Sequence, residues 1–330
     1  MRIAFIGVGH WHAPEFYLPG LLRRDQQVVA ISDAEQEAVD RIAGQFDLGC
    51  PTYTDFRELL DEVEADLVFA SAPHLDMTEI AAELVLRGQP FHMEKPMGVD
   101  WQMLQPIAAR AEQIGLFTSV ALVSRYYGAV QELRRLRVAG ELGTPVHYYY
   151  RLLAGSPQRY LETDCEWMLD PVRAGAGPLF NFGPHVVDLF IYLMDEVGEV
   201  TARWSKGVYG SEIEDHTTVL MVGRNTGAVG VGEVAYTMPE GYERYFSVTT
   251  SALHVGGGMS DVDILMREGE NLHVGGPQVS HLYDHYVGDT LRRFESGEPG
   301  VATISDMVPV LRVMNAAVLS ACEGESVVID

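Results

Sequence analysis

Short apolar runs alternate with amphipathic segments along roughly the first third of the chain. The runs predict buried strands at residues 3–6, 28–31, 67–70, 90–93 and 117–122. The intervening segments predict helices at residues 34–46, 55–63, 78–87 and 101–114. Strands that alternate with helices of this length indicate βαβ units and a parallel sheet covered on both faces.

The pattern changes after Leu122. One helix at 127–138 precedes strand-like segments at 145–153, 200–209, 217–222, 228–236, 245–250 and 262–266. Further helices are predicted at 183–194, 281–294 and 305–322. We therefore predict an α/β fold, with an N-terminal Rossmann domain (1–122) and a C-terminal α+β domain (123–330) built on a large open, mostly antiparallel sheet. Because helices cover one face of such a sheet, we expect the other face to form a homodimer or homotetramer.

The amino-acid composition limits the classes of molecule that the protein is expected to bind. The formal net charge of −24 argues against nucleic acid and against an anionic membrane surface. A small neutral or cationic substrate stays open, as does an anion held by backbone amides and a few arginines. The sequence has no stretch of about 18 apolar residues, and its three cysteines are widely spaced, which predicts a cytoplasmic protein without a membrane span.

A glycine pair follows the first predicted strand. Gly7 allows a tight turn and Gly9 lets the backbone approach a pyrophosphate, but His12 occupies the position of the usual third glycine. Asp33 ends the second strand, where an acid binds ribose hydroxyls and repels a 2′-phosphate. Residues 34–37 offer no arginine for that phosphate, so NAD is favoured over NADP; the alternative for Asp33 is a helix N-cap.

Lys95 is one of only two lysines, the other being Lys206. It follows the fourth predicted strand within Glu94-Lys95-Pro96, at the end of the sheet where such folds bind ligands. An ammonium there can hold a substrate hydroxyl and stabilise a developing alkoxide. The alternative is a surface lysine in a turn.

A second motif follows a glycine-rich turn. Asn181, Gly183 and His185 are predicted at the head of a helix, where an imidazolium is disfavoured and a neutral base is favoured. Asp188 lies one turn further on and could hold the imidazole ring. The alternative is a histidine that is simply buried in the core.

Together these motifs resemble those of the Gfo/Idh/MocA family of NAD(P)-dependent oxidoreductases, and the resemblance covers essentially the whole chain. It is carried by the glycine loop, Asp33, Ala72-Pro73, Gly88, Glu94-Lys95-Pro96, Arg125-Tyr126, Gly140-Glu141-Leu142-Gly143, Gly183-x-His185-x-x-Asp188 and Gly324-x-x-Val327. The sequence departs from the family at Asn181, where an aspartate is common, at Met77, where a histidine is common, and at His12.

The resemblance implies roles for individual residues. Lys95 would bind the hydroxyl being oxidised, and His185 would be the general base. Asn181 would be the third catalytic residue. The residues expected to bind cofactor are Gly7, Gly9, His10, Trp11, Asp33, Ala72, Pro73, His74, Glu94 and Lys95. Those expected to bind substrate are Lys95, Arg125, Trp167, Asn181 and His185.

The sequence thus predicts an NAD-dependent dehydrogenase that acts on a CH–OH group of a sugar, cyclitol or related polyol. Two alternatives stay open: glycoside cleavage through transient oxidation and elimination, and a non-catalytic dinucleotide sensor. No metal is expected. His10, His12, His74 and His92 could converge at strand ends, and His281 and His285 have chelating spacing, but no metal motif joins either set.

Overall fold

The computed structural model describes residues 1–276 and 281–330. A six-stranded parallel sheet occupies the N-terminal part, with the order β3-β2-β1-β4-β5-β6. Its strands are β1 (Arg2–Ile6), β2 (Gln27–Ser32), β3 (Thr52–Tyr53), β4 (Leu67–Ala70), β5 (Phe91–Met93) and β6 (Thr118–Val120). All five predicted strands are confirmed, and β3 was missed because two residues carry no pattern. The strand order reverses between β1 and β4, which is where this fold binds nucleotides.

Helices cover this sheet: α1 (Leu18–Leu22), α2 (Gln36–Gln45), α3 (Phe56–Glu62), α4 (His74–Arg87) and α5 (Trp101–Gln113). Side-chain caps fix two of the starts, since Asp55 accepts from Arg57 N and Asp100 from Gln102 N. The α4 helix begins at His74, four residues before the predicted start, directly after Pro73, whose φ is −50°.

A nine-stranded sheet follows, with the order β14-β13-β12-β11-β7-β10-β9-β8-β15. Its strands are β7 (Pro145–Ala154), β8 (Val197–Ser205), β9 (His216–Gly223), β10 (Val229–Ala235), β11 (Tyr242–Thr250), β12 (Leu253–Gly257), β13 (Asp261–Met266), β14 (Leu272–Gly275) and β15 (Val327–Val328). All pairs are antiparallel except β7 with β10. The predicted open, mostly antiparallel sheet is confirmed, although β12, β14 and β15 were not predicted.

The helices of this second part are α6 (Gly128–Ala139), α7 (Pro171–Ala174), α8 (Pro178–Leu193), α9 (Leu282–Ser296) and α10 (Ile304–Glu323). The start of α8 corrects the sequence prediction, which placed it five residues later. Glu214 explains the difference, because its buried carboxylate accepts the N–H groups of Gly177 (2.8 Å) and Leu179 (3.1 Å) at the end of the helix. A carboxylate at this end also complements the helix dipole.

The α8 helix lies directly on β10. A Cβ added to Gly232 would come within 2.4 Å of Val186 Cγ1, so the missing side chain lets the helix approach the strand. Nearly every residue of α8 is buried. The side chains that this helix carries are therefore held in fixed positions by packing.

The C-terminal helices return to the first sheet. Tyr286 of α9 hydrogen-bonds His92 Nδ1 of β5 (2.7 Å) and Ser119 Oγ of β6 (3.0 Å). Among the described residues, α10 is the one helix whose length and composition would allow it to cross a membrane, and it packs against β8, α5 and α8. Helices in the interior of proteins share that composition.

The outer face of the nine-stranded sheet carries half-exposed apolar side chains, among them Leu220, Val229, Tyr245 and Leu265. The homo-oligomer expected to cover this face stays a prediction.

A buried ion pair ties α8 to two other segments. Arg125, in a 3-10 turn (Val123–Tyr126), donates to both carboxylate oxygens of Asp188 and to Asp306 Oδ1 of α10. Burial opposes the charge of Arg125, but the two carboxylates raise its pKa above the ordinary value. Arg125 therefore stays charged in the core.

We expect Asp188→Asn to lower the free energy of unfolding by about 3 kcal/mol, because the variant leaves a buried guanidinium with an incomplete countercharge. The matched control is Asp61→Asn, since Asp61 forms an exposed ion pair with Arg87 (2.6 Å) and should contribute less than about 1 kcal/mol. Urea unfolding measures the free energy of unfolding of both variants. Equal losses would contradict a structural role for the Arg125 pair.

Candidate active site

The glycine loop after β1 is shaped by two close approaches. Gly7 has φ +77°, and a Cβ there would lie 1.6 Å from Ser71 O at the end of β4. Gly9 N donates to Asp33 Oδ2 (2.8 Å), and a Cβ on Gly9 would come within 2.9 Å of the same oxygen. Glu35 is the residue that precedes α2, so Asp33 is not its N-cap. The Asp33 carboxylate instead accepts the Gly9 N–H and fixes the glycine loop at the mouth of a cleft.

The cleft has a volume of about 560 Å³ and lies at the carboxyl ends of β1, β2 and β4. It is lined by Gly7, Gly9, His10, Asp33, Ala34, Glu35, Glu37, Ala38, Arg41, Ala72, Pro73, Asp76, Asp164, Glu166, Trp167 and Arg173. A wall of glycine backbone beside a carboxylate is the surface that a dinucleotide requires. These residues therefore fit NAD.

Carboxylates outnumber cations in this cleft by six to two. Arg41 was missed, because sequence reasoning searched for an arginine only up to residue 37. It lies in α2 and forms an exposed ion pair with Asp164 (3.3 Å), whereas Arg173, the other cation of the cleft wall, forms no ion pair among the described residues. The preference for NAD over NADP stays a prediction.

Lys95 lies directly after β5 with 4% of its surface exposed. Its Nζ donates to two oxygens of one residue, Asn181 O (2.7 Å) and Asn181 Oδ1 (3.0 Å). Burial lowers the pKa of Lys95, and the charge of Glu94 opposes that shift. The peptide bond between Lys95 and Pro96 is cis. The structure thus excludes a surface lysine.

Two tyrosines that sequence reasoning missed fix the orientation of the Asn181 amide. Asn181 Nδ2 donates to Tyr160 Oη (2.5 Å) and to Tyr236 Oη (3.0 Å), and both hydroxyls are buried. Since the nitrogen faces the tyrosines, the oxygen must face Lys95. Tyr236 directly follows β10, on the face of the sheet that packs against the helices. That position was the only sequence feature that indicated a role for Tyr236 in the site.

His185 is buried in α8, and its Nδ1 has no hydrogen-bond partner among the described residues. Burial, followed by the charge of Lys95, lowers its pKa to about 3. His185 lies two turns inside α8, which corrects the prediction that a helix N-terminus keeps it neutral. Asp188 does not hold the ring as predicted, because Arg125 occupies both of its oxygens.

The structure brings most of the other predicted site residues to the cleft, with exceptions. Arg125 was predicted to bind substrate, but its guanidinium is engaged by Asp188, Asp306 and Val301 O. Trp167 lies in the cleft wall, and its ring centroid is 5.8 Å from His10 and 5.0 Å from His74. His74 itself is turned away and hydrogen-bonds Ala174 O (2.8 Å).

Trp11 and His12 lie beside the loop and not in the cleft wall. The Trp11 ring packs on His12, with 3.6 Å between centroids, and His12 Nδ1 hydrogen-bonds Glu94 Oε1 (2.6 Å). Tyr17 Oη and Lys95 N also donate to the Glu94 carboxylate. Burial works against this charge, but His12 and Lys95 hold the pKa of Glu94 well below its usual range. Glu94 is therefore a buried anion next to Lys95.

His12 also changes the first helix. In place of one regular helix, the chain forms a π-helical turn (Ala13–Tyr17) and then α1, with Pro14 in the first turn. Of the four histidines that could converge, His10 and His12 have ring centroids 5.1 Å apart, whereas His74 and His92 hydrogen-bond Ala174 O and Tyr286 Oη. Within residues 1–276 and 281–330, no three His, Cys, Asp or Glu side chains are arranged to hold a metal ion.

Two family models and several solved structures match this chain. Residues 1–122 match the family described as "Oxidoreductase family, NAD-binding Rossmann fold", and residues 130–253 match the "GFO/IDH/MocA C-terminal domain". A levoglucosan dehydrogenase in complex with NADH and levoglucosan superposes with a TM-score of 0.85 over 100% of this chain and 99% of that one. At 18% identity, this likeness shows the fold alone.

Curated relatives match over part of their length. A putative UDP-kanosamine synthase oxidoreductase subunit of Amycolatopsis mediterranei (strain S699) is 32% identical over 196 residues, which are 59% of this chain and 52% of the relative. A trans-1,2-dihydrobenzene-1,2-diol dehydrogenase of Mus musculus is 25% identical over 126 residues, 38% of each chain. The chain thus spans about half of the first relative and less than that of the second.

The buried histidines predict how stability depends on pH. Burial lowers the pKa of His74, His92 and His185 to about 3 in the folded protein, whereas a histidine in the unfolded chain titrates near 6.5. Between these values the unfolded state binds more protons, so stability falls as the pH is lowered. Each residue should cost on the order of 2 kcal/mol between pH 7 and pH 5.

Urea unfolding at pH 7, 6 and 5 measures this dependence. The carboxyl groups of Asp188 and Glu214, whose pKa burial raises, act in the opposite direction and reduce the net slope. A calorimetric titration at pH 5 should show net proton uptake on unfolding. Proton release, or stability that rises toward pH 5, would contradict neutral buried histidines.

Proposed function

The chain belongs to the Gfo/Idh/MocA family of NAD-binding oxidoreductases, and we propose that it oxidises a hydroxyl group of a sugar, cyclitol or related polyol. One observation carries the proposal: the buried Lys95 ammonium is held by Asn181, and its charge acts on a buried, neutral His185. The sugar-related names of the relatives agree with this substrate class.

The residues that would hold NAD are Gly7, Gly9, His10, Asp33, Ala72 and Pro73, all in the cleft wall. NAD, when bound, supplies the acceptor for the hydride. The glycine backbone gives the pyrophosphate room, and the Asp33 carboxylate suits ribose hydroxyls.

Lys95 has one N–H left for substrate. An ammonium carries three donors, and the two oxygens of Asn181 take two of them. The third can donate to a substrate hydroxyl and stabilise negative charge as it develops on that oxygen. Because both Asn181 contacts are buried, the ammonium is oriented before substrate arrives.

His185 supplies the proton acceptor. At neutral pH its ring is uncharged, and its Nδ1 makes no hydrogen bond within the described part of the chain. A neutral nitrogen without a partner can accept the hydroxyl proton from a substrate held by Lys95. The presence of both groups argues against a non-catalytic sensor, and transient oxidation in glycoside cleavage would use the same pair.

Lys95→Met should lower turnover roughly 10²-fold or more, the size expected for losing one oxyanion-type donor, while NAD affinity changes little. The matched control is Lys206→Met, which removes the only other lysine, an exposed one, and should keep full turnover. NADH formation on a panel of sugars and polyols measures turnover, and calorimetry measures NAD binding.

The panel also separates the alternatives. Cleavage of aryl glycosides that requires NAD without net NADH would favour elimination. Tight NAD binding without either activity would favour a sensor, and unchanged turnover in Lys95→Met would refute the role of Lys95.

Asn181→Asp should move the alkaline limb of the pH–rate profile upward by about one pH unit or more. A carboxylate 3.0 Å from Nζ would raise the pKa of Lys95, and Tyr160 and Tyr236 can donate to it by turning their hydroxyl hydrogens. Asn271→Asp is the control, because Asn271 is exposed and accepts from Met266 N through Oδ1. If the alkaline limb of the pH–rate profile does not move, a group other than Lys95 determines its position.

A further inference from the structure

Two arginines and three tyrosines form a cluster beyond Asn181. This arginine–tyrosine cluster consists of Arg159, Arg244, Tyr160, Tyr236 and Tyr242. Both guanidinium groups approach the ring of Tyr242, with Arg159 Cζ at 5.4 Å and Arg244 Cζ at 4.9 Å from its centroid. Arg159 Cζ also lies 4.8 Å from the Tyr160 ring. Two like charges are thus gathered around one aromatic ring.

Neither arginine has a carboxylate within 4.0 Å among the described residues, and residues 277–280 contain no acidic side chain. This is unusual in a chain with 47 acidic and 23 basic residues. Glu15 is near enough for the charge of Arg159 to lower its pKa, against the larger effect of burial, but it makes no ion pair. Because neither guanidinium has an ion-pair partner among the described residues, each can pair with a bound anion.

Hydrogen bonds connect the cluster to Lys95. Arg159 Nη2 donates to Tyr160 Oη (2.9 Å), which also accepts from Asn181 Nδ2 (2.5 Å), and Asn181 Oδ1 accepts from Lys95 Nζ (3.0 Å). The path bounds the separation of Arg159 Nη2 from Lys95 Nζ at on the order of 10 Å. That is within the span of a monosaccharide with one substituent.

Arg244 reaches the same place from β11. It pairs with Leu152 of β7, and Phe246 pairs with Tyr150, so Arg244 and Tyr150 are diagonal neighbours on the inward face of the sheet. Arg159 Nε is buried without a hydrogen-bond partner within the described ranges. The charge of Arg244 adds to burial and Lys95 in lowering the pKa of His185. The charge of Arg244 thus acts on both Tyr150 and the proposed catalytic His185.

We propose that the substrate carries a negatively charged group, a carboxylate or a phosphate, that binds Arg159 and Arg244 while its hydroxyl reaches Lys95. The inference rests on the proposed function and narrows its substrate class to acidic sugars or polyols. Guanidinium groups suit this task because they donate in pairs to carboxylate and phosphate oxygens. Arg159 and Arg244 are partly buried, whereas Asn181 and Lys95 are almost fully buried.

Three probes of similar size test the inference: glucose, glucuronate and glucose 1-phosphate. Calorimetry in the presence of NADH measures binding without turnover, and NADH formation from NAD measures kcat/KM. We expect at least one anionic probe to bind roughly 10- to 100-fold more tightly than glucose, the range for hydrogen bonds to a charged group. Whether glucuronate or the phosphate is preferred distinguishes the two sources of charge.

Arg244→Gln should reduce the preference for the anionic probe over glucose by about tenfold or more. Arg244→Lys keeps the charge and should restore part of the preference, which guards against a folding defect. The matched control is Arg312→Gln, since Arg312 stacks on Trp101 (4.7 Å) and makes no hydrogen bond in the described chain. That variant should leave the preference unchanged.

The outcomes separate this inference from the proposed function. If neither anionic probe binds more tightly than glucose, or if Arg244→Gln weakens both kinds of probe equally, the anionic substrate is refuted and the dehydrogenase proposal stands. If an anionic probe binds in an Arg244-dependent way but no probe yields NADH, the anionic ligand is supported and the dehydrogenase proposal fails.

Discussion

The contact between the Lys95 ammonium and Asn181 is the constraint on which the site depends. A buried ammonium is costly unless oxygen atoms replace its water. Both oxygens come from one residue of α8, whereas Lys95 comes from the end of β5. The parallel sheet and the helix layer of the second sheet must therefore meet at this point. Glu214 at the start of α8 and the Arg125–Asp188 pair further along it hold the helix in that position.

Burial also sets the protonation states, and it does so differently for each group. His185 loses its proton because burial and the charge of Lys95 outweigh the opposing charge of Glu94. Glu94 keeps its charge in an equally buried place because His12, Tyr17 and the Lys95 N–H contact its oxygens. His12 occupies the third-glycine position, and the helix after it begins with an irregular π-helical turn. Its ring is a hydrogen-bond partner for the Glu94 carboxylate beside Lys95. A glycine there would leave Glu94 without the His12 hydrogen bond.

The sequence predicted the fold well because the apolar runs of the first sheet and the alternation of the second are local signals. It also selected Lys95, Asn181 and His185, whose residue types are rare or motif-bound. Features that depend on distant residues were not accessible. The start of α8 depends on Glu214, more than 30 residues downstream, and the loss of Asp188 as a partner for His185 depends on Arg125, more than 60 residues upstream. Tyr160 and Tyr236 belong to no motif, so only their convergence on Asn181 identifies them.

Charge is distributed unevenly along the site. Six carboxylates and two arginines line the cleft where the adenosine half of a dinucleotide fits, and this surplus disfavours additional negative charge there. Beyond Lys95 the order is reversed, because Arg159 and Arg244 have no carboxylate within ion-pair distance in the described residues. Two arginines without an ion-pair partner among the described residues, at one end of the site of an acidic protein, would select for ligands that carry a negative charge. A ligand with one anionic group would be oriented with that group toward the arginines and its hydroxyl toward Lys95, where the polarity of the site is complementary to it.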